Sequence, residues 1–146
     1  MIHAHIITPE ETIFDGEVES LTLPTADGEI TVMGGHMPLI SVLVPGTVVA
    51  RKGQEEWFFA CSRGVIEIDG KNIRVLADTA DRAEKLEESA VEAAKSAAEK
   101  LATDRRDDAE GFADATGLLE RELARLSTIR KHRARGGRSS RTTHDQ

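Results

Sequence analysis

Residues Leu21–Leu39, LTLPTADGEITVMGGHMPL, decide how this chain folds. They hold a strand, the turn residues Asp27-Gly28, and a second strand in which Ile30 and Val32 alternate with Glu29 and Thr31. Gly34-Gly35 and His36-Met37-Pro38 follow. Alternation with period two puts the apolar side chains on one face of a sheet. No step of the stretch sets a nucleophile beside a base. It is laid out as a small β-domain that offers a shaped loop to a partner.

The same grammar extends on both sides. Ile2, Ala4 and Ile6 alternate with His3 and His5. Leu39–Val44 and Thr47–Ala50 are β-branched-rich runs divided by Pro45-Gly46, and Trp57–Cys61 and Val65–Ile68 follow. Turn signals recur at Asp15-Gly16, Asp27-Gly28, Gly34-Gly35, Pro45-Gly46, Lys52-Gly53 and Asp69-Gly70. Many short strands at that spacing predict an antiparallel sandwich or barrel of about eight to ten strands. The clearest hairpin joins Val65–Ile68 to Ile73–Leu76 through Asp69-Gly70-Lys71-Asn72, where Asp-Gly supplies the positive φ angles of a tight turn.

After Asp78 the period changes. Ala83, Leu86, Ala90, Ala93 or Ala94, Ala97 and Leu101 fall three or four apart, and so do Phe112, Ala115, Leu119, Leu123, Leu126 and Ile129. Each set predicts one face of a helix. The polar turn Thr103–Asp108 between them predicts an antiparallel pair. The fold class is therefore α+β: a β-sandwich over residues 1–80, a helical hairpin over 81–135 and a disordered basic tail over 136–146. Alanines on the first helix bury little area, so the hairpin should be weakly held and able to move.

Charge divides the chain. The net charge is −7, yet residues 121–141 carry eight Arg or Lys against the single acid Glu122. Residues 1–120 carry eleven bases against twenty-four acids. A basic arm on an acidic body seeks an acidic partner. Nucleic acid is disfavoured, because the body repels phosphates and no aromatics interleave with the basic residues. Cys61 is the only cysteine, so no internal disulfide can form. No apolar run reaches the roughly 18–20 residues of a membrane span, and MIHAHIITPEET lacks the layout of a signal peptide. The chain reads as soluble.

Catalytic and cofactor motifs are weak. Gly64–Asn72 has five residues between its glycines where a phosphate loop has four, and its Gly-Lys sits in a strand-to-strand turn. His3 and His5, at i and i+2 on one strand face, could hold a metal with a third ligand, but no neighbouring Cys or clustered acid supplies one. His36 lacks a placed nucleophile and orienting acid. Cys61 reads as an inert buried thiol and Trp57 as core or interface filling. The expectation is no catalytic residue, no metal, no nucleotide and no cofactor.

Taken in order, these residues resemble the epsilon subunit of the rotary F-type ATP synthases, called delta in mitochondria. The resemblance covers about residues 1–135. Gly16-Glu17-Val18-Glu19-Ser20 precedes Leu21–Pro24, and Gly28–Leu39 is similar to the family's Gly-Glu-x-Gly-[apolar]-x-Pro-Gly-His-x-Pro-Leu. Pro45-Gly46, Phe59–Ile68 and Val75–Ala80 continue it. Thr31, Gly34 and Arg63 depart from the pattern, which bears on loop shape. Leu86-Glu87-Glu88-Ser89-Ala90-Val91 stands where some members carry an Ile/Leu-Asp-x-x-Arg-Ala nucleotide motif. Ala90 replaces its arginine, so the chain is expected to bind ATP weakly or not at all.

The resemblance implies a non-catalytic central-stalk rotor subunit that couples proton transport to ATP synthesis. Its partners would be the gamma subunit, the c-ring and, with the helices extended, the alpha/beta catalytic head. Glu29, Met33, His36 and Pro38 would meet the c-ring and gamma. Arg121, Arg125, Arg130, Lys131 and Arg133 would meet acids of the stator and inhibit ATP hydrolysis. The implied location is the cytoplasmic face of a bacterial plasma membrane, held there through the complex. A free-standing β-sandwich adaptor with a helical arm is the alternative.

Overall fold

A computed structural model describes residues 1–144, with side chains through residue 135. Ten strands come first: β1 (Ile2–Ile7), β2 (Thr12–Val18), β3 (Ser20–Thr25), β4 (Gly28–Met33), β5 (Leu39–Leu43), β6 (Gly46–Lys52), β7 (Glu55–Cys61), β8 (Gly64–Ile68), β9 (Asn72–Ala77) and β10 (Ala80–Arg82). They pair in the order β10-β7-β6-β3-β5-β8-β9-β1-β2, with β4 on β3. Only β1 with β9 is parallel. The sheet folds over one core, whose largest wholly buried side chains include Phe59, Ile2, Ile6, Leu21, Leu23 and Ile73. Alternation along β1 and β9 delivers every second residue to this core.

Two glycines are fixed by geometry. A Cβ on Gly64 would lie 1.9 Å from the Leu76 carbonyl oxygen, so only glycine lets β8 and β9 come this close. In the β8–β9 turn, Gly70 alone has a positive φ, +93°. The sequence reading gave both turn residues positive φ. Asp69 instead closes the turn with its carboxylate, which accepts the backbone N–H groups of Lys71 and Asn72 at 3.1 and 2.7 Å. Those bonds hold its carboxyl below the usual range.

Two helices follow, α1 (Glu88–Asp104) and α2 (Ala109–His144), packed on each other. The expected first helix begins five residues late. Ala83–Lys85 forms one 3₁₀ turn, and Leu86 is extended. Ala83 is spent on the outside of the sheet, where it packs on Val49 and Phe58. The buried face of α1 is Val91 and Ala98, not Ala90, Ala93, Ala97 and Leu101, which are exposed. On α2 the expected Ala115, Leu126 and Ile129 are buried, whereas Phe112 and Leu123 are exposed. Alanines fill about half the circumference of α1, so their spacing does not single out the narrow stripe of Val91 and Ala98 at one edge of that arc. Helix α2 runs through His144, across the Gly136-Gly137 pair and the Ser/Thr-rich run that reads in sequence as a disordered tail. Residues 145–146 lie outside the described part.

Helix α2, not the alanine-rich α1, lies on the sandwich, against β6 and β7. This explains why β6 and β7 are apolar on both faces. Val48 and Phe59 face the core, while Val49 and Phe58 face α2 and the 3₁₀ turn yet are only 6% and 5% exposed.

Candidate functional site

The residues expected to meet the c-ring lie on one edge. β4 pairs only with β3 among the described strands, and its alternation turns Glu29, Thr31 and Met33 outward. Met33 ends β4 and His36 and Pro38 follow in the loop after it, whereas Glu29 stands at the other end of β4, roughly 13 Å up the strand from Met33. The loop is fastened at its base, where Gly35 N–H donates to the Gly70 carbonyl at 2.9 Å. His36 Nδ1 lies 2.8 Å from the Met37 carbonyl, which sets Nδ1–H as the donor and fixes the ring. Met33 and Met37 are largely exposed, and so are Ile40 and Val42 on the neighbouring β5. An apolar, solvent-facing strip of this kind fits a protein interface.

The arginines form the second feature, and most of them are already paired. Arg125 donates to Asp81 Oδ2 from Nε at 3.0 Å and from Nη2 at 2.8 Å, and to Glu122 Oε1 at 2.9 Å. Arg121 adds a contact to the same Glu122 oxygen at 3.3 Å. Arg133 donates to Glu88 at 2.7 Å, and Arg130 lies 3.9 Å from Glu92. Lys131 makes no ion pair among the described residues. So the Arg125 pair tethers α2 to the sandwich, while Arg130 and Arg133 tie it to α1. These arginines are not one cluster; they point to several acids around the helix.

Two participants escaped the sequence reading. Glu122, the lone acid of the basic run, is 2% exposed, and its Oε2 has no partner among the described residues. Its place was legible, because Ala115, Glu122, Leu126 and Ile129 repeat at helical spacing. Arg135 is the other. It forms a two-pronged pair with Glu56, with Nε donating to Oε2 at 3.0 Å, and this pair holds the Glu56 carboxyl below its usual range. Thr47 and Thr128 add a buried bond between α2 and β6, with their hydroxyls 2.8 Å apart. The His132 ring packs at a tilt of 59° against Phe58, with centroids 5.8 Å apart. Cys61 is buried in β7, and burial pushes its thiol up to about 12.

Residues 1–83 match the family model for the β-sandwich domain of the ATP synthase delta/epsilon chain. The chain belongs to this family. It is 38% identical over 136 residues to the ATP synthase epsilon chain of Teredinibacter turnerae, covering 92% of this chain and 96% of that one. The epsilon chain of Alkalilimnicola ehrlichii is 36% identical over 138 residues, 94% of this chain and 98% of that one. A chain in the cryo-EM structure of the Euglena gracilis mitochondrial ATP synthase superposes with a TM-score of 0.70. It covers 82% of this chain and 75% of that one at 20% identity, a shared fold. In this delta/epsilon-family member no described helix is long and apolar enough to cross a membrane.

Proposed function

We propose that this chain is a non-catalytic central-stalk rotor subunit of an ATP synthase, coupling proton transport to ATP synthesis and braking ATP hydrolysis through α2. Its β4 edge and the Gly34–Pro38 loop dock on the c-ring and the gamma subunit through Glu29, Met33, His36 and Pro38. The complex holds it at the cytoplasmic face of a bacterial plasma membrane. The chain has no catalytic centre of its own.

The observation that carries the brake is how α2 is held. Arg121, Arg125, Arg130 and Arg133 each pair with an acid of this same chain. If α2 rose, Arg125, Arg130 and Arg133 would exchange Asp81, Glu92 and Glu88 for carboxylates on the stator, and Lys131 and Arg121, whose partner Glu122 rides on the same helix, would join them. Trading one ion pair for another costs little net free energy. The apolar seam is small, chiefly Val91, Leu126 and Ile129. Two positions separated by a small gap are what a switch needs. Ala90, exposed in the first turn of α1, offers no charged donor to a phosphate, and Glu88 is held by Arg133, so the free chain does not bind ATP in this reading.

A lock tests the brake. Thr47 and Thr128 face each other across the α2–β6 contact, and T47C with T128C places two thiols at this join. In the assembled complex, oxidation should pin α2 down and raise ATP hydrolysis several-fold, and reduction should restore the slower rate. Equal rates in the two redox states would sink the reading.

A further inference from the structure

The outward face of β1 carries His3 and His5, and pairing with β2 brings carboxylates opposite them, with His3 across from Glu17 and His5 across from Asp15. His3 Nε2 lies 2.5 Å from Asp15 Oδ1, and His5 Nδ1 lies 3.5 Å from the same oxygen. The two imidazole centroids are 4.4 Å apart. One donor atom from each of His3, His5 and Asp15 falls within 4.8 Å of the others. The third ligand missing from the sequence is thus supplied by the neighbouring strand, ten residues or more along the chain.

We propose that His3, His5 and Asp15 form a binding site for a divalent transition cation of the zinc type. Two imidazoles and a carboxylate are a donor set suited to zinc rather than to magnesium or calcium. Ligands about 2.0–2.2 Å from a tetrahedral ion stand roughly 3.3 Å from one another. The His5–Asp15 spacing already fits, and the His3–Asp15 spacing needs to open by less than about 1 Å, within reach of side-chain rotation. Water completes the tetrahedron on the solvent side. Glu17 Oε1 lies 4.0 Å from His3 Nδ1, beyond hydrogen-bond length, and on metal binding a small side-chain rotation would let it accept the Nδ1 proton and leave Nε2 bare for the metal.

The scaffold is rigid enough to hold such a site. β1 lies between β2 and β9, and its opposite face, Ile2, Ala4 and Ile6, is fully buried. Arg74, across β9 from His5, lies 3.8 Å from Glu67 and does not occupy Asp15. Because its ligands lie on both strands, a bound cation staples β1 to β2.

Isothermal titration calorimetry tests this on the full chain, stripped with EDTA and titrated with zinc chloride at neutral pH. One equivalent should bind with micromolar or better affinity, with excess magnesium making no difference. Cobalt should give the visible absorption of a tetrahedral site, bleached by zinc. H3Q, H5Q and D15N should each weaken binding at least about tenfold, while the zinc-free chain keeps its fold by circular dichroism. E17Q should weaken binding less and leave the cobalt band shape intact, as fits a residue that acts through His3. H36Q should bind as the unaltered chain does. The inference is overturned by no binding at millimolar zinc, by undiminished binding in D15N and H5Q, or by binding that fails in H36Q.

Discussion

One sheet presents two apolar outer faces, and they meet different fates. On β6 and β7, Val49 and Phe58 point away from the core yet are 6% and 5% exposed, because α2 and Ala83 cover them. On β5, β8 and β9, Ile40, Val42, Val65 and Leu76 point outward and stay exposed, with Ile40 at 76%. The first face has found its cover within the chain, and the second has not. Its cover is built from small side chains, hydroxyls and ion pairs, all of which a competing surface could replace. A face that needs permanent shelter is packed with large residues, as the inner core is.

The largest effect should come from the core that both faces share. Phe59→Ala removes a wholly buried ring and should cost about 3–5 kcal/mol in urea unfolding followed by Trp57 fluorescence. Loss of α2 contacts alone, with the sandwich still resisting urea, would count against a single shared core.

The next pair bears directly on the two faces. Phe58→Ala uncovers the α2 seat and should cost about 2–4 kcal/mol, speeding amide exchange in α2 while leaving β8 and β9 protected. Val42→Ser, on the bare face, should stay within about 0.5 kcal/mol. Equal costs would mean that the two faces do not differ in the free chain.

The polar seat makes a finer test. Thr128 Oγ1 donates to the Ala124 carbonyl at 2.8 Å, which leaves Thr47 as donor in the Thr47–Thr128 bond. Thr128→Val strands the buried Thr47 hydroxyl and should cost about 1–2 kcal/mol, whereas the double variant with Thr47→Val should recover most of it. Chemical denaturation of the three variants decides it, and an additive double variant would refute the bond's contribution.

How much of this was legible depended on where the partner of each residue lay. Strands β1 and β3–β9 showed in their own alternation, apolar runs or flanking turn residues. β2 did not, because Asp15-Gly16-Glu17 breaks its pattern with polar and glycine residues, and β10 is only three residues long. The loop carrying His36 was visible as a motif. The acids that hold the arginines were not, since Asp81 and Glu56 lie 44 and 79 residues before their partners and only the fold aligns them. The same holds for Asp15 beside His3 and His5. Continuous apolar runs in β6 and β7 signalled a cover on both faces. They left open which helix supplies it, and the alanine spacing named the wrong face of α1, since Val91 and Ala98 are its buried residues.

The smallest effect sits at the outer end of the α2 seat. Arg135 holds the Glu56 carboxyl below its ordinary value through their hydrogen bonds. A carboxyl whose folded pKa is lowered stabilises the fold at pH above its unfolded value, and that stabilisation is lost as pH falls through the folded one. Acid below the ordinary glutamate value of about 4.5 should therefore loosen α2 near Arg135. The pair is largely open to solvent at Arg135, so added salt should shrink the effect. Asp15 and Asp69 are shifted the same way, so acid also weakens the sandwich. Arg135→Ala separates the two. It should raise the Glu56 pKa measured by NMR and abolish the acid-induced exchange of α2 amides near Arg135, while the acid response of the β8–β9 turn stays as it was. An unmoved Glu56 titration would place the grip on α2 in the Thr47–Thr128 and Arg125–Asp81 contacts, closer to the middle of the covered face.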